Sequence, residues 1–473
     1  MRYLNFNHDF SWAMVQRGGQ LVVGYFFSLL LARLLGPDEF GIVALALVWL
    51  GFFRVIGDIG FSSAVIQSAS ITSAQLSSIF FLNLVLSVLL LALSVASVRL
   101  ASPVTDVPEL PLVVSALSVS LLLSGLSVTQ QAIAYRNLSF RFLALRDIWS
   151  VVAGGIAGVS AALIGLGFWA LVIQALVTPL VSTVFLWSVP KWSPRFSEFS
   201  FSEVRPLLGF SIWILLFQIF GYAVREIDKI FIGTIAGVTV LGYYGLAVKL
   251  IFQPAVHFSG ALGKYLFPKI SSMQNSNADI RQIYSASISL ALAYVFPLLL
   301  VLGLLLYSYA TLLLGLQWAN AVPLLPYVAL SAACQSLISP AGPVMKATNR
   351  PALLLGWAVL FTALVVVGCL FGLRHGGIVQ AAIGISIAYL LGMVLISLLM
   401  RKILGAGSSR LFLIVLVMVI GIMYALIAHT GVTGLQREYK WLGVPMIFFV
   451  GFIYWKTIAL FKQLDYSHFI SRA

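Results

Sequence analysis

The chain has little charge. Of its 473 residues 9% are Asp, Glu, Lys or Arg, and the acidic share is the smaller, 14 against 28 basic. A soluble globule carries about 25% charged residues, so an ordinary water-facing surface is excluded. Cysteine is equally scarce. Cys334 and Cys369 both sit inside apolar runs, with no Cys-x-x-Cys spacing and no histidine beside them. That leaves no disulfide framework and no thiolate metal site, and the two read as small buried hydrophobes. There is no phosphate-cradling P-loop pattern, hence no nucleotide site of the chain's own, and no Gly-x-Ser-x-Gly, His-Glu-x-x-His or Asp-x-Asp. Long hydrophilic stretches are missing too. The largest polar loop, around 190–207, leaves no room for a soluble catalytic domain.

What is present is apolar sequence, 61% of the chain, at a mean hydropathy of +1.05. A spanning helix needs about 20 apolar residues, and fourteen segments qualify: 12–35, 41–66, 77–99, 111–134, 147–167, 168–189, 208–233, 241–267, 283–306, 322–345, 352–373, 377–400, 410–429 and 441–461. The fifth and sixth are divided only by the turn Gly165-Leu-Gly167. The fold class expected is an all-α polytopic membrane protein. Its first apolar stretch is longer than the core of a signal peptide and lacks a small-x-small cleavage site, so it reads as a retained helix. Basic residues gather in alternate segments. Arg136, Arg141 and Arg146, then Lys191, Arg195 and Arg205, then Lys346 and Arg350 fall on one side; the sparser Arg33, Arg99, Arg374, Arg437 and Lys440 fall on the other. Positive charge marks the cytoplasmic side, which places both termini in the cytoplasm. The net charge of +14 therefore reads as topology and headgroup contact rather than nucleic-acid binding.

A repeat is visible at an offset of 201 residues. Gly36 falls on Gly237, Gly41 on Gly242, Leu45 on Leu246 and Ala46 on Ala247, each time at a tight turn from an outgoing helix to a returning one, and both copies start in the same predicted direction. A parallel repeat with its axis along the membrane normal follows. It predicts two six-helix bundles, 1–190 and 208–400, facing a central cavity. A cytoplasmic linker over 191–207 joins them, and 401–473 adds two helices and a short tail.

Particular residues then point to a family. Leu31–Leu47 reads LARLLGPDEFGIVALAL and is followed by Asp58-Ile-Gly-Phe61 and Ala64-Val-Ile-Gln67. Later come Asp228-Lys-Ile-Phe-Ile-Gly233, Leu241-Gly-Tyr-Tyr244 and Ala247-Val-Lys-Leu250. Together these resemble Wzx-type polysaccharide flippases of the multidrug/oligosaccharidyl-lipid/polysaccharide exporter superfamily. The resemblance covers the first two-thirds of the chain. It implies carriage of undecaprenyl-diphosphate-linked glycan across a bacterial inner membrane by alternating access, beside a polysaccharide polymerase or export complex, with no cofactor and no enzymatic activity. An ion-coupled multidrug exporter of the same superfamily is the alternative. A membrane-bound sugar polymerase or ligase, which ordinarily carries a long periplasmic loop, fits less well.

Ionisable residues inside a membrane are costly and tend to face a bundle interior or a wet cavity. Here they are Arg54 and Asp58, then Arg225, Glu226, Asp228 and Lys229, then Lys249, with His257 further along. Arg54 and Asp58 are four apart, so they share a helix face. They either neutralise each other, or Arg54 offers its planar guanidinium to a diphosphate. Arg225, Asp228 and Lys229 share another stripe, with Glu226 about 100° away from Arg225. Asp228 and Lys249 either bridge two helices, or Arg225, Lys229 and Lys249 form a second cationic station. Asp58, Glu226 and Asp228 are the groups available for ion coupling. His257 reads as a packed residue. Trp49, Trp213, Tyr222, Tyr243 and Tyr244 either line a glycan path or anchor the chain at the membrane interfaces.

Overall fold

The computed structural model describes residues 6–57, 65, 71–101, 107–137, 139–188, 192–200, 219, 221–222, 225–271, 277–348 and 350–404. Asp58, Trp213 and the expected spans 410–429 and 441–461 lie outside these residues. Among the described residues every regular element is a helix, and nine stretches are long and apolar enough to cross a membrane. The chain divides into two compact units, residues 1–242 and 243–473.

In the first unit, α1 spans Phe6–Leu34, α2 Pro37–Gly57, α3 Ser73–Ala101, α4 Leu110–Arg136, α5 Phe140–Leu163 and α6 Trp169–Ser188. Each agrees with an expected span; α3 and α4 run past both ends of theirs, whereas α6 lies within 168–189. Helix is favoured in hydrocarbon because it satisfies every backbone N–H and C=O internally. α5 turns into α6 at Gly165 and Gly167, whose φ angles of 81° and 53° suit glycine. The packing order is α1 on α5, α5 on α6, α6 on α4, and α4 on α2 and α3. Without a hydrophobic drive between helices in lipid, small residues and hydroxyls make the contacts. Ser118 of α4 donates to Ser94 of α3 across 2.9 Å.

One expectation about α5 is corrected. The helix begins at Phe140, not near 147, so Arg141 and Arg146 are helical rather than loop residues. Arg146 is 3% exposed. Its Nε donates to Asp147 Oδ1 at 2.8 Å, and Gln16 of α1 donates to Asp147 Oδ2 at 2.5 Å. A charge can enter the helix there because its counter-charge and a polar neighbour enter with it.

The strap 192–200 follows α6 and contains one short 3-10 turn, Phe196–Glu198. Glu198 accepts hydrogen bonds from Ser73 (2.6 Å) and Ser77 (3.3 Å) at the start of α3, and Trp192 donates to Ser73. The Ser73 hydroxyl, with Arg195 and Ser77 assisting, holds the Glu198 carboxyl below the usual carboxylate range.

α7, described over 225–231 and preceded by helical residues 219 and 221–222, ends in a π turn at Ile232–Ala236. Gly237, at φ 89°, reverses the chain into α8, Val238–Ser271. The first turn of α8 meets the first turn of α2 in a reciprocal way. A Cβ added at Gly41 would fall on the Val238 carbonyl, and one added at Gly242 would fall on the Pro37 carbonyl. Thr239 donates to Asp38 beside them. The equivalent positions of the two turns, Pro37 and Val238, Asp38 and Thr239, and Gly41 and Gly242, are each 201 apart.

In the second unit, α9 (Asn277–Leu290) passes through a π turn into α10 (Phe296–Leu314), and a 3-10 stretch, Leu316–Leu324, leads to α11 (Leu325–Ile338). α11 is the central post. Nearly all its residues are buried, Tyr327 and Cys334 among them, and Ser331 hydrogen-bonds Ser386 at 3.0 Å. After α12 (Ala341–Ala347), α13 covers Pro351–Leu404 and breaks at Gly376 and Gly377. The expected spans 352–373 and 377–400 are its two arms. They pack backbone to backbone, because a Cβ at Gly368 would strike the Gly384 carbonyl and one at Gly384 the Gly368 carbonyl. The outward side chains of this hairpin, such as Val359, Val367 and Phe371, are exposed, as hydrocarbon allows.

Candidate functional site

The ionisable residues of α2 and α7 lie in the first unit. α2 is set by its first turn, where Asp38 and Glu39 complement the helix N-terminus. Its interior is apolar until Arg54 in the last turn. Arg54 stands on an open face, and its Nη2 donates to Ser120 of α4 at 3.4 Å. A guanidinium has five donors, so one neutral hydroxyl occupies little of its capacity. The expected partner Asp58 is outside the described residues.

Tyr222 sits beside this face. Its hydroxyl donates to the Val48 carbonyl of α2 at 2.7 Å, across 174 residues of sequence. The ring end fills a notch at Gly51, where an added Cβ would meet the hydroxyl and stand 2.7 Å from Cζ. Arg54, Arg225 and Glu226 are each near enough to act electrostatically on the phenol. Arg225 is exposed. Lys229 is drawn to Glu226 in a 2.5 Å ion pair, with both side chains about one-fifth exposed. Asp228 accepts the Lys229 amide at 2.9 Å. The stripe of Arg225, Asp228 and Lys229 thus holds one cation with a carboxylate of its own and one on an open face. Lys249, exposed, and His257, half-buried, belong to α8 in the second unit.

The aromatic residues separate into two kinds. Trp49 donates to Ser97 at 3.2 Å, Tyr243 packs edge-on against Trp318, and Tyr244 is buried. These three have packing roles. Among the described residues Tyr222 is the candidate aromatic that the structure brings to Arg54. Sequence reasoning also missed the Gln16–Arg146–Asp147 cluster; its signal was the adjacent Arg-Asp pair at the head of an apolar run.

The arrangement can hold an anion. Two guanidiniums and a phenol lie near one another on apolar helices, where charge is weakly screened.

The polysaccharide biosynthesis protein family matches residues 30–323. The succinoglycan biosynthesis transport protein ExoT of Rhizobium meliloti is 26% identical over 80% of this chain and 76% of its own. The lipopolysaccharide biosynthesis protein WzxC of Escherichia coli is 22% identical over 85% and 82%. Among solved structures, the lipid II flippase MurJ in an inward closed conformation superposes with a TM-score of 0.68 at 13% identity, covering 98% of this chain and all of that one. An inward-facing multidrug resistance MATE family transporter reaches 0.63 at 13% identity, over 83% and 98%. The fold is that of the multidrug/oligosaccharidyl-lipid/polysaccharide exporter superfamily, the resemblance to Wzx-type flippases holds, and the chain belongs to the polysaccharide biosynthesis protein family.

Proposed function

We propose that this protein is a flippase that carries undecaprenyl-diphosphate-linked oligosaccharide units across the bacterial inner membrane for surface polysaccharide export. The observation that carries the reading is Arg54: a guanidinium on an open face of an apolar helix, tied to a neutral serine and next to a phenol that a second exposed arginine, Arg225, also reaches electrostatically. A diphosphate is the part of such a lipid that hydrocarbon rejects most strongly, and Arg meets it with bidentate geometry. Arg225 and Lys249 extend the cationic path, and Lys229 joins it when Glu226 releases it. Asp58, Glu226 and Asp228 are the carboxylates available for ion coupling. The relatives named for succinoglycan transport and lipopolysaccharide biosynthesis support the substrate class.

In this reading fourteen helices form two bundles, 1–190 and 208–400, joined by the linker 191–207 and followed by two helices in 401–473, with both termini cytoplasmic. The reciprocal contact of Gly41 and Gly242 supports a parallel repeat, since a two-fold relation would make the same pair of contacts twice. Alternating access then moves the bundles about the substrate. A polysaccharide polymerase or export complex receives the flipped unit, and the chain itself breaks no bond. The multidrug exporter reading shares the fold, but an arginine-lined face repels cationic drugs.

The test is complementation. Deleting the gene in a strain of known surface polysaccharide should abolish the polysaccharide and pile up lipid-linked units on the inner leaflet. The native chain should rescue; Arg54→Ala with Lys249→Ala should not. Intact polysaccharide with new sensitivity to cationic drugs would select the exporter. Full rescue by the double variant would remove these cations from the site.

A further inference from the structure

Tyr222 is fixed by two independent features of α2. Its hydroxyl donates to the Val48 carbonyl, and its ring end occupies the space above Gly51 that any other residue would fill. Gly51 lies one turn before Arg54 on nearly the same stripe. Side chains on a helix lean toward its N-terminus and cover the preceding turn. An arginine at 54 would therefore lie back over Gly51 and cover that part of α2. The tyrosine ring already holds that space. Arg54 extends instead toward α4, where Ser120 receives it at 3.4 Å. The phenol has spent its one proton on Val48, so the lone pairs left on its oxygen are acceptors for a nearby guanidinium.

We propose that Tyr222 is a positioning residue for anion binding: seated in the Gly51 notch, it keeps the Arg54 guanidinium off the surface of its own helix and presents it to the diphosphate of the substrate. The inference rests on the reading of Arg54 given above. Tyr222 need not touch the anion itself. The pairing also assigns a role to Gly51, which is the absence that admits the ring.

The experiment is a double-mutant cycle on the full-length chain purified in detergent, with farnesyl diphosphate as probe and farnesyl monophosphate as control. Tyr222→Ala should weaken diphosphate binding about tenfold or more, approaching Arg54→Ala, because the arginine collapses onto α2. Gly51→Ala should act in the same direction by displacing the ring. The Tyr222→Ala/Arg54→Ala double variant should bind no more weakly than Arg54→Ala alone, since a residue acting through Arg54 has nothing to position once it is gone. Tyr222→Phe, which keeps the ring and loses the Val48 bond, completes the same cycle if the alanine variant does not fold. Its own loss should be smaller, a few-fold. Multiplying losses, or native-like binding by Tyr222→Ala while Arg54→Ala fails, would overturn the positioning role and leave the Arg54 site standing. A native chain that does not prefer the diphosphate, or an Arg54→Ala variant that binds like native, would overturn the site and this inference together.

Discussion

Arg54 and Arg146 are both arginines on apolar helices of the same unit, and they are treated in opposite ways. Arg146 is buried, its guanidinium directed to the adjacent Asp147, which also receives Gln16 from α1. Arg54 is exposed and, among the described residues, has a serine hydroxyl and a phenol for neighbours. A cation with a dedicated carboxylate neither needs nor attracts a mobile anion. A cation given hydroxyl groups keeps its charge available. On the function proposed above, the difference separates an arginine that fastens helices from one open to a ligand, and sequence alone gives both the same letter in the same kind of helix.

The comparison can be broken most directly at Asp147. Asp147→Ala would leave Arg146 buried without its counter-charge, at a cost of about 3–5 kcal/mol. The expected result is a large drop in the thermal unfolding midpoint and in the amount of protein recovered from the membrane. Arg146→Met with Asp147→Leu should recover most of that stability, because an apolar pair removes both charges together. A stable, fully active Asp147→Ala protein would show that the pair fastens nothing.

Arg54→Ala should behave in the opposite manner. Hydrogen bonds to charged groups contribute about 1.5–3 kcal/mol, so farnesyl diphosphate binding should weaken roughly ten- to a hundred-fold. The unfolding midpoint should barely move, as for a surface change within about 0.5 kcal/mol. Arg54→Lys should restore part of the binding, keeping the charge without the planar fork. Equal losses of stability in Arg54→Ala and Asp147→Ala would erase the distinction.

Lys229 stands between the two cases, with a carboxylate partner but a part-exposed setting. Glu226→Gln should change stability by less than about 1 kcal/mol, while raising diphosphate affinity a few-fold at low salt by leaving Lys229 uncompensated. A fall in affinity would mean that Glu226 itself supports the substrate.

The smallest effect belongs to the strap. The Glu198 carboxyl is held low by the Ser73 hydroxyl, so its contribution is present above the ordinary carboxylate value, about 4.3. That contribution fades as pH falls from there through the depressed value. Amide protection at 192–200, taken relative to the intrinsic exchange rate at each pH, should therefore fall below about pH 4, and Glu198→Gln should show the lower protection at neutral pH. Protection that ignores both pH and the substitution would mean that the aromatic packing of Trp192 and Phe196 holds the strap unaided.

Much of this fold was legible in the sequence. Runs of about 20 apolar residues placed the spans from α1 to α13, Gly165 and Gly167 marked the α5–α6 turn, and the glycines at 36, 41, 237 and 242 marked the turns into α2 and α8, though not the contact between those two helices. Span ends were less legible, since helices such as α3 and α4 continue past the apolar runs that mark them. Arg146 was assigned to a loop because it is charged; in the structure its counter-charge lets the helix run through it. Of the site, Arg54 and Arg225 could be named from their charge inside apolar sequence. The pairing of Lys229 with Glu226 was within reach of the three-residue spacing, but a carboxylate three positions away competes with others on neighbouring helices. Tyr222 was one of five aromatic candidates, and nothing local distinguished it.

The sequence by itself determined the solvent and the secondary structure: a chain with this much apolar surface belongs in a bilayer, and a bilayer admits helices that satisfy their own backbone. It determined which cations lie within those helices, because charge stands out in an apolar run. Only the tertiary structure decided which cations are spent. Whether a guanidinium meets a carboxylate, a serine or a phenol depends on which helix packs beside it. That choice is made by backbone approach at glycines and serines many residues away, as where Gly51 receives Tyr222.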